Sequence, residues 1–138
     1  MDIYTDGGCI ENPGGIGSWA FVAVADGQVI HKASGGELET TNNRMELMAV
    51  IEALKWARDV CTIYTDSDLT VKCGNRTWKR RKNLDLWAAF DAVKPVGIRL
   101  KWIKGHSGNV YNDAADALCT NVMQQMLGRR EVRAMEPA

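Results

Sequence analysis

A chain of 138 residues, 46% hydrophobic and 25% charged, has a make-up that excludes a disordered protein, and one globular domain with a single core is expected. Seventeen basic and seventeen acidic residues cancel to zero formal net charge, which excludes a polyanion-binding surface spread over the whole molecule. No apolar run is long enough to span a bilayer and no basic-then-apolar leader is present, so a cytoplasmic protein with reduced thiols at Cys9, Cys61, Cys73 and Cys119 is expected.

The first strand begins directly after Met1 with Ile3-Tyr4-Thr5 and carries Asp6 into Gly7-Gly8, read as a turn where no side chain crowds an approaching ligand. A strand without an N-terminal flank is expected at the centre of its sheet, and α/β domains place their chemistry at strand ends. Glu11-Asn12-Pro13-Gly14-Gly15 is a turn cluster ahead of an apolar strand over 18–25, and Asp26-Gly27 closes a two-residue hairpin onto a third strand over 28–34. Thr40, Thr41, Asn42 and Asn43 offer N-caps for a helix over about 44–58, where Met45, Met48, Ile51 and Leu54 recur at helical spacing.

A second β-rich run, 61–65, ends in Asp66-Ser67-Asp68, and a short helix capped by Ser67 or Asp68 follows to about Gly74. The dense basic run Lys79-Arg80-Arg81-Lys82, preceded by Lys72, Arg76 and Trp78, either faces a phosphate backbone or is a solvated helix end. A helix over 84–93, a strand over 97–103, the loop Lys104-Gly105-His106-Ser107-Gly108 and a helix over about 112–126 complete the pattern. Gly128 is read as the end of that helix, so 1–127 forms the domain and 128–138 a flexible tail. The order β-β-β-α-β-α-α-β-α predicts an α/β mixed sheet: three antiparallel strands, then parallel strands whose crossover helices cover both faces.

Three acids and a histidine each have a plain local reading. Glu46 lies three residues after Asn43, as in a capping box; Asp66 fits an N-cap; Asp116 fits a solvated helix face; His106, between glycines, fits an exposed loop. Yet Glu46 shares a helical stripe with Val50, Ala53 and Ala57, which turns it toward the sheet. Asp6 and Asp66 end two strands that the crossover rule sets side by side, and Asp116, one turn into the last helix, can complete the ring. Two like unit charges about 4 Å apart repel by roughly 4 kcal/mol at an effective dielectric near 20, so such a ring implies hard divalent cations, Mg²⁺ or Mn²⁺.

Tyr4-Thr5-Asp6-Gly7-Gly8-Cys9, Thr41-Asn42-Asn43-Arg44-Met45-Glu46-Leu47, Tyr64-Thr65-Asp66-Ser67 and Lys104-Gly105-His106-Ser107-Gly108 with Asp116 resemble, in order, the motifs of type 1 ribonuclease H. The match runs from about Ile3 to Leu118, and the run from Thr41 to Leu47 is its most specific piece. The resemblance implies the family's mixed five-stranded sheet with helices on both sides. It implies that Asp6, Glu46, Asp66 and Asp116 bind two divalent ions. Asp6 would bridge them, Asp116 would share the ion that activates the attacking water, and Glu46 and Asp66 would hold the ion at the leaving 3′ oxygen. His106 would take an auxiliary part, moving a proton or helping product leave. The substrate would be the RNA strand of an RNA/DNA hybrid, cut to 3′-hydroxyl and 5′-phosphate ends. Contacts to 2′ hydroxyls would fall on Cys9, Asn12, Asn42 and Asn43, and a DNA-strand phosphate on Thr41 and Asn83, with Trp78, Lys79 and Arg80 as a remnant of the basic protrusion.

Three departures from the family pattern stand out: Glu39 where an Arg is common, Asp68 where a Gln usually follows Asp-Ser, and a short stretch between Gly74 and Leu86. All three point to weaker or more salt-sensitive substrate binding with the metal chemistry spared. A free-standing monomeric enzyme without a protein or membrane partner is expected. The rivals are a DNA nuclease or integrase on the same fold, and a non-catalytic hybrid-binding module, which would be expected to have lost a carboxylate.

Overall fold

In the computed structural model, which describes residues 1–135, β1 (Asp2–Cys9) lies at the centre of a five-stranded sheet. β2 (Gly17–Ala25) pairs with it antiparallel along its full length, from Asp2 opposite Val24 to Cys9 opposite Gly17. β3 (Gln28–Glu37) extends the meander as an edge strand, longer than expected by three residues' worth of pairing beyond Ser34. The turn between them has φ 51° at Asp26 and 73° at Gly27, the doubly left-handed geometry whose twist suits a tight hairpin. On the other side β4 (Thr62–Thr65) pairs parallel with β1, and β5 (Arg99–Trp102) parallel with β4, giving the order β3-β2-β1-β4-β5. The expected mixed α/β sheet is thus the observed one.

Strand alternation sorts the apolar residues into two layers. Ile3, Phe21 and Ile63 face α1 (Asn42–Ala57) and α3 (Leu84–Val93), where Leu47, Val50, Leu54 and Phe90 are all buried with them, and the short α2 (Asp68–Gly74) closes this layer. Their neighbours Tyr4, Val22 and Val24 face the opposite way, against Ala115 and Tyr111 of α4 (Val110–Met135). No helix among the described residues is long and apolar enough to cross a membrane.

The start of α1 falls on one of the expected caps, without the capping box, and the end of α4 departs from expectation. The N-cap of α1 is Thr41, whose hydroxyl accepts from the Arg44 N–H at 3.2 Å, so Asn43 sits inside the helix and no Asn43–Glu46 capping box forms. Glu46 is thereby released from a capping role. At the other end of the chain, Asn109 starts α4 by accepting from the N–H groups of Tyr111 and Asn112, both at 3.0 Å. Gly128 does not stop this helix, which runs to Met135. One exposed glycine costs a helix only about 1 kcal/mol relative to alanine, and α4 continues through it. Of the expected tail, residues 136–138 lie outside the described residues.

Candidate active site

β1 does not end at Asp6, as its sequence suggested, but continues to Cys9 against β2. Its pairing with β4 stops earlier, at Tyr4 opposite Tyr64, so the two parallel strands part just before Asp6 and open a notch at their C-terminal ends. Asp66, immediately past the end of β4, borders the same notch. Gly7 turns out to serve the helix rather than a ligand. A Cβ there would lie 2.3 Å from the Met45 carbonyl carbon and 2.4 Å from the Glu46 nitrogen, so only glycine lets the first turns of α1 lie directly on β1. That close approach carries Glu46 over the notch.

One carboxylate oxygen from each of Asp6, Glu46 and Asp66 lies within 4.8 Å of the others, a spacing at which the three can share a cation. Asp6 and Glu46 are buried and Asp66 half-buried. Thr65 donates to Glu46 Oε2 at 3.3 Å and fixes its carboxylate. Asp66 is held from two sides: its carbonyl accepts from Trp102 Nε1 at 3.0 Å, and a Cβ on Gly105 would meet its Oδ2 at 2.6 Å. The N-cap of α2 is Ser67, which accepts from the Thr70 N–H at 3.2 Å, so Asp66, like Glu46, is free of a capping task.

Asp116 lies outside the three-way cluster but reaches the Asp6 carboxyl, where its hydrogen bond and charge both act. A small latch locks α4 in place for this contact. The Cys119 thiol donates to the Asp6 carbonyl at 3.3 Å, and Ser18 donates to the Cys119 carbonyl at 2.7 Å. Burial, then the charge of Asp6, pushes the Cys119 thiol far up, so it stays protonated and acts as a donor rather than a nucleophile. His106 stands exposed in the loop between β5 and α4 with φ 55°, and its charge works to lower Asp66. Three of the expected residues therefore meet at one notch, with Asp116 beside Asp6 and the charge of His106 acting on Asp66.

Burial, then the charge of Asp66, then the contact with Asp116 push Asp6 up to about 7. Burial, then Asp6 and Asp66, hold Glu46 well above the usual carboxylate range, and burial raises Asp66 as well. For a carboxyl raised from 3.8 to about 7, the folded state binds the extra proton, so the stabilisation is fully present below pH 4 and is lost as pH rises through 7. At 1.36 kcal/mol per unit, Asp6 alone accounts for at most about 4 kcal/mol. The metal-free protein should melt several degrees lower at pH 8.5 than at pH 5.5, and Mg²⁺ should raise the melting temperature more at pH 8.5. Calorimetry in chelator checks both, and an equal Mg²⁺ effect at the two pH values would count against the cluster as a cation site.

The expected substrate contacts divide. Asn12 accepts from the Asn42 N–H at 3.1 Å through Oδ1, tying the loop after β1 to the start of α1 and leaving its amide nitrogen outward. The Cys9 thiol points inward among the carbonyls of Ile10, Gly15 and Thr40, each 3.4 Å away, so a contact here falls to the backbone. Asn42 and Asn43 are exposed on the first turn of α1, beside the half-buried Thr41. Asn43, Asn83, Trp78 and Lys79 border one depression of about 520 Å³ between α1, α2 and the 75–83 link. Arg80 departs from expectation. Its side chain is 5% exposed, lies 4.4 Å over the Trp87 ring, and donates to Asp91 at 2.7 Å and to the Cys73 carbonyl at 2.9 Å. It is spent on anchoring the link to α3, and the run of four cations presents three.

A family profile described as RNase H matches residues 1–124 of the chain. A ribonuclease H of Verminephrobacter eiseniae is 43% identical over 154 aligned residues, covering 99% of this chain and 98% of its own. A ribonuclease H of Cupriavidus metallidurans is 47% identical over 134 residues, covering 86% of this chain and 91% of its own. Among solved structures, LC11-RNase H1 in complex with RNA/DNA hybrid is similar with a TM-score of 0.82 at 24% identity, covering 91% of this chain and 98% of that one, a likeness of fold.

Proposed function

The chain belongs to the ribonuclease H family, and from that premise we propose that it is an endoribonuclease that hydrolyses the RNA strand of RNA/DNA hybrids, leaving 3′-hydroxyl and 5′-phosphate ends. The observation that carries this reading is the convergence of Asp6, Glu46 and Asp66, with Asp116 at their edge. A ring of carboxylates that raises its own members above the normal range is costly without cations, and an all-oxygen donor set suits Mg²⁺, with Mn²⁺ as a substitute. Asp6, Glu46, Asp66 and Asp116 would hold two ions once substrate is bound. When bound, the ions supply a nucleophilic water at neutral pH and neutralise the charge that develops on the phosphate.

The chain's own residues do the rest. Thr65 and Trp102 orient Glu46 and Asp66, and the Cys119 latch keeps Asp116 beside Asp6. His106, exposed on a glycine-flanked loop, is placed to move a proton or assist product release rather than to act as a rigid base. Asn12, Asn42, Asn43 and the backbone at Cys9 would read 2′ hydroxyls of the RNA strand, the groups that separate RNA from DNA. Thr41 and Asn83 would hold a phosphate of the DNA strand. We read the 75–83 link as a short form of the family's basic protrusion, weakened further by the internal pairing of Arg80. Asp68, exposed beside Ser67, adds an acid that cannot donate to a 2′ hydroxyl. The protein would act as a monomer in the cytoplasm.

End-labelled RNA/DNA hybrid, duplex DNA and duplex RNA incubated with Mg²⁺ or Mn²⁺ test the reading. Cleavage of the RNA strand in the hybrid alone, absent in Asp6→Asn, is expected; cutting of duplex DNA or no cutting at all would overturn it. In the same assay KM should climb with salt while kcat holds, and a salt-independent KM would contradict the thin phosphate grip.

A further inference from the structure

Asn83 occupies the N-cap position of α3 but makes no capping hydrogen bond with its side chain, although capping is what an asparagine there ordinarily does. Its backbone is left-handed, with φ 56°, a conformation asparagine tolerates better than most residues. Its Oδ1 instead accepts from Arg44 Nη1, 3.2 Å away on α1. The same guanidinium is clamped by Asp85, with Nη1 to Oδ1 at 3.0 Å and Nη2 to Oδ2 at 2.8 Å. The planar fork is thereby held rigidly, two residues past Asn83 on the helix that Asn83 opens.

The chemistry of that contact settles which way the amide faces. A guanidinium carries only donors, so it takes the carbonyl oxygen of Asn83 and leaves the NH₂ group on the other side. Asn83 borders the depression shared with Asn43, Lys79 and Lys82, and an amide nitrogen turned outward offers two donors and no acceptor. Such a group suits an anionic oxygen. Asn12 is prepared alike, its oxygen taken by the Asn42 N–H.

We propose that Arg44 is a positioning residue: clamped by Asp85, it fixes the Asn83 amide with its nitrogen outward, so that a phosphate of the substrate's DNA strand meets an oriented donor. This deepens the functional reading above and rests on it. Arg44 acts through Asn83 and pairs with none of Asp6, Glu46, Asp66 and Asp116.

A double-mutant cycle on hybrid cleavage tests the assignment. Arg44→Lys keeps the charge but loses the fork that serves Asp85 and Asn83 together. It should raise KM about tenfold with kcat within about twofold, as should Asn83→Ala. The double variant should be no worse than Asn83→Ala, because the two changes remove one contact. Asp85→Asn should shift KM in the same direction by a smaller factor. Effects that multiply in the double variant would overturn the positioning role, as would a KM for Arg44→Lys equal to that of the unsubstituted protein. So would a fall in kcat that tracks a fall in melting temperature. Failure of the unsubstituted protein to cleave hybrid would overturn the functional reading and the assignment together, which separates the two kinds of failure.

Discussion

Asp6→Asn is expected to abolish cleavage of the RNA/DNA hybrid and, in the same molecule, to raise the melting temperature of the metal-free protein above pH 7. The two effects have one cause. Asp6 is 8% exposed and lies within cation-sharing distance of Glu46 and Asp66, while Asp116 presses on it from α4. At about 4.8 Å two unit charges repel by roughly 3–4 kcal/mol at an effective dielectric near 20, so a neutral isostere relieves strain that the native residue must carry. The same substitution removes the carboxylate that lies within reach of Glu46, Asp66 and Asp116 alike, and kcat should fall by about 10³-fold or more. A residue whose loss improves stability and destroys activity is there for its chemistry. End-labelled hybrid with Mg²⁺ and calorimetry in chelator at pH 8 read the two effects separately. Activity within tenfold of the native chain, or a lower melting temperature at pH 8, would contradict the argument.

Much of this arrangement is legible in the sequence alone, because its signals are local. The Asp26-Gly27 hairpin, the helical spacing of Met45, Met48, Ile51 and Leu54, and the parallel crossover between β1 and β4 follow from turn chemistry and period. The inward stripe through Glu46, Val50 and Ala53 was visible as a pattern and is buried in the fold. What resisted were mainly single contacts decided by one partner far along the chain. Arg80 looks like its three cationic neighbours until Asp91 and Trp87 of α3 come to meet it. The Arg44, Asn83 and Asp85 set spans two helices, so no spacing announces it. The thiol of Cys119 becomes a latch only because α4 crosses β1 at the level of Asp6. Gly128 carried a stop signal that was weaker than the helix around it.

Gly7 was misread for the same reason, and it yields the sharpest structural test. Glycine within a strand ordinarily costs stability relative to alanine, so Gly→Ala at an unobstructed strand position should gain a few tenths of a kcal/mol. At Gly7 the added carbon would fall 2.3, 2.4 and 2.6 Å from the Met45 carbonyl carbon, the Glu46 nitrogen and the Met45 carbonyl oxygen. These are backbone atoms of a helix whose Met45, Leu47, Val50 and Leu54 are at most 2% exposed, so α1 cannot back away without opening the core beneath it. Gly7→Ala should therefore lose about 3 kcal/mol. Because the strained atoms include the nitrogen of Glu46, a displacement of about 1 Å in its carboxylate should cost on the order of 10²-fold in kcat even where the variant remains folded. Gly8→Ala is the control. Its added carbon would meet only the Met123 methyl at 3.4 Å, the free end of a flexible side chain, so stability should stay within about 1 kcal/mol. Urea unfolding with kcat measured below the transition distinguishes the pair, and a Gly7→Ala protein as stable and active as Gly8→Ala would show that close contact between β1 and α1 does not place Glu46.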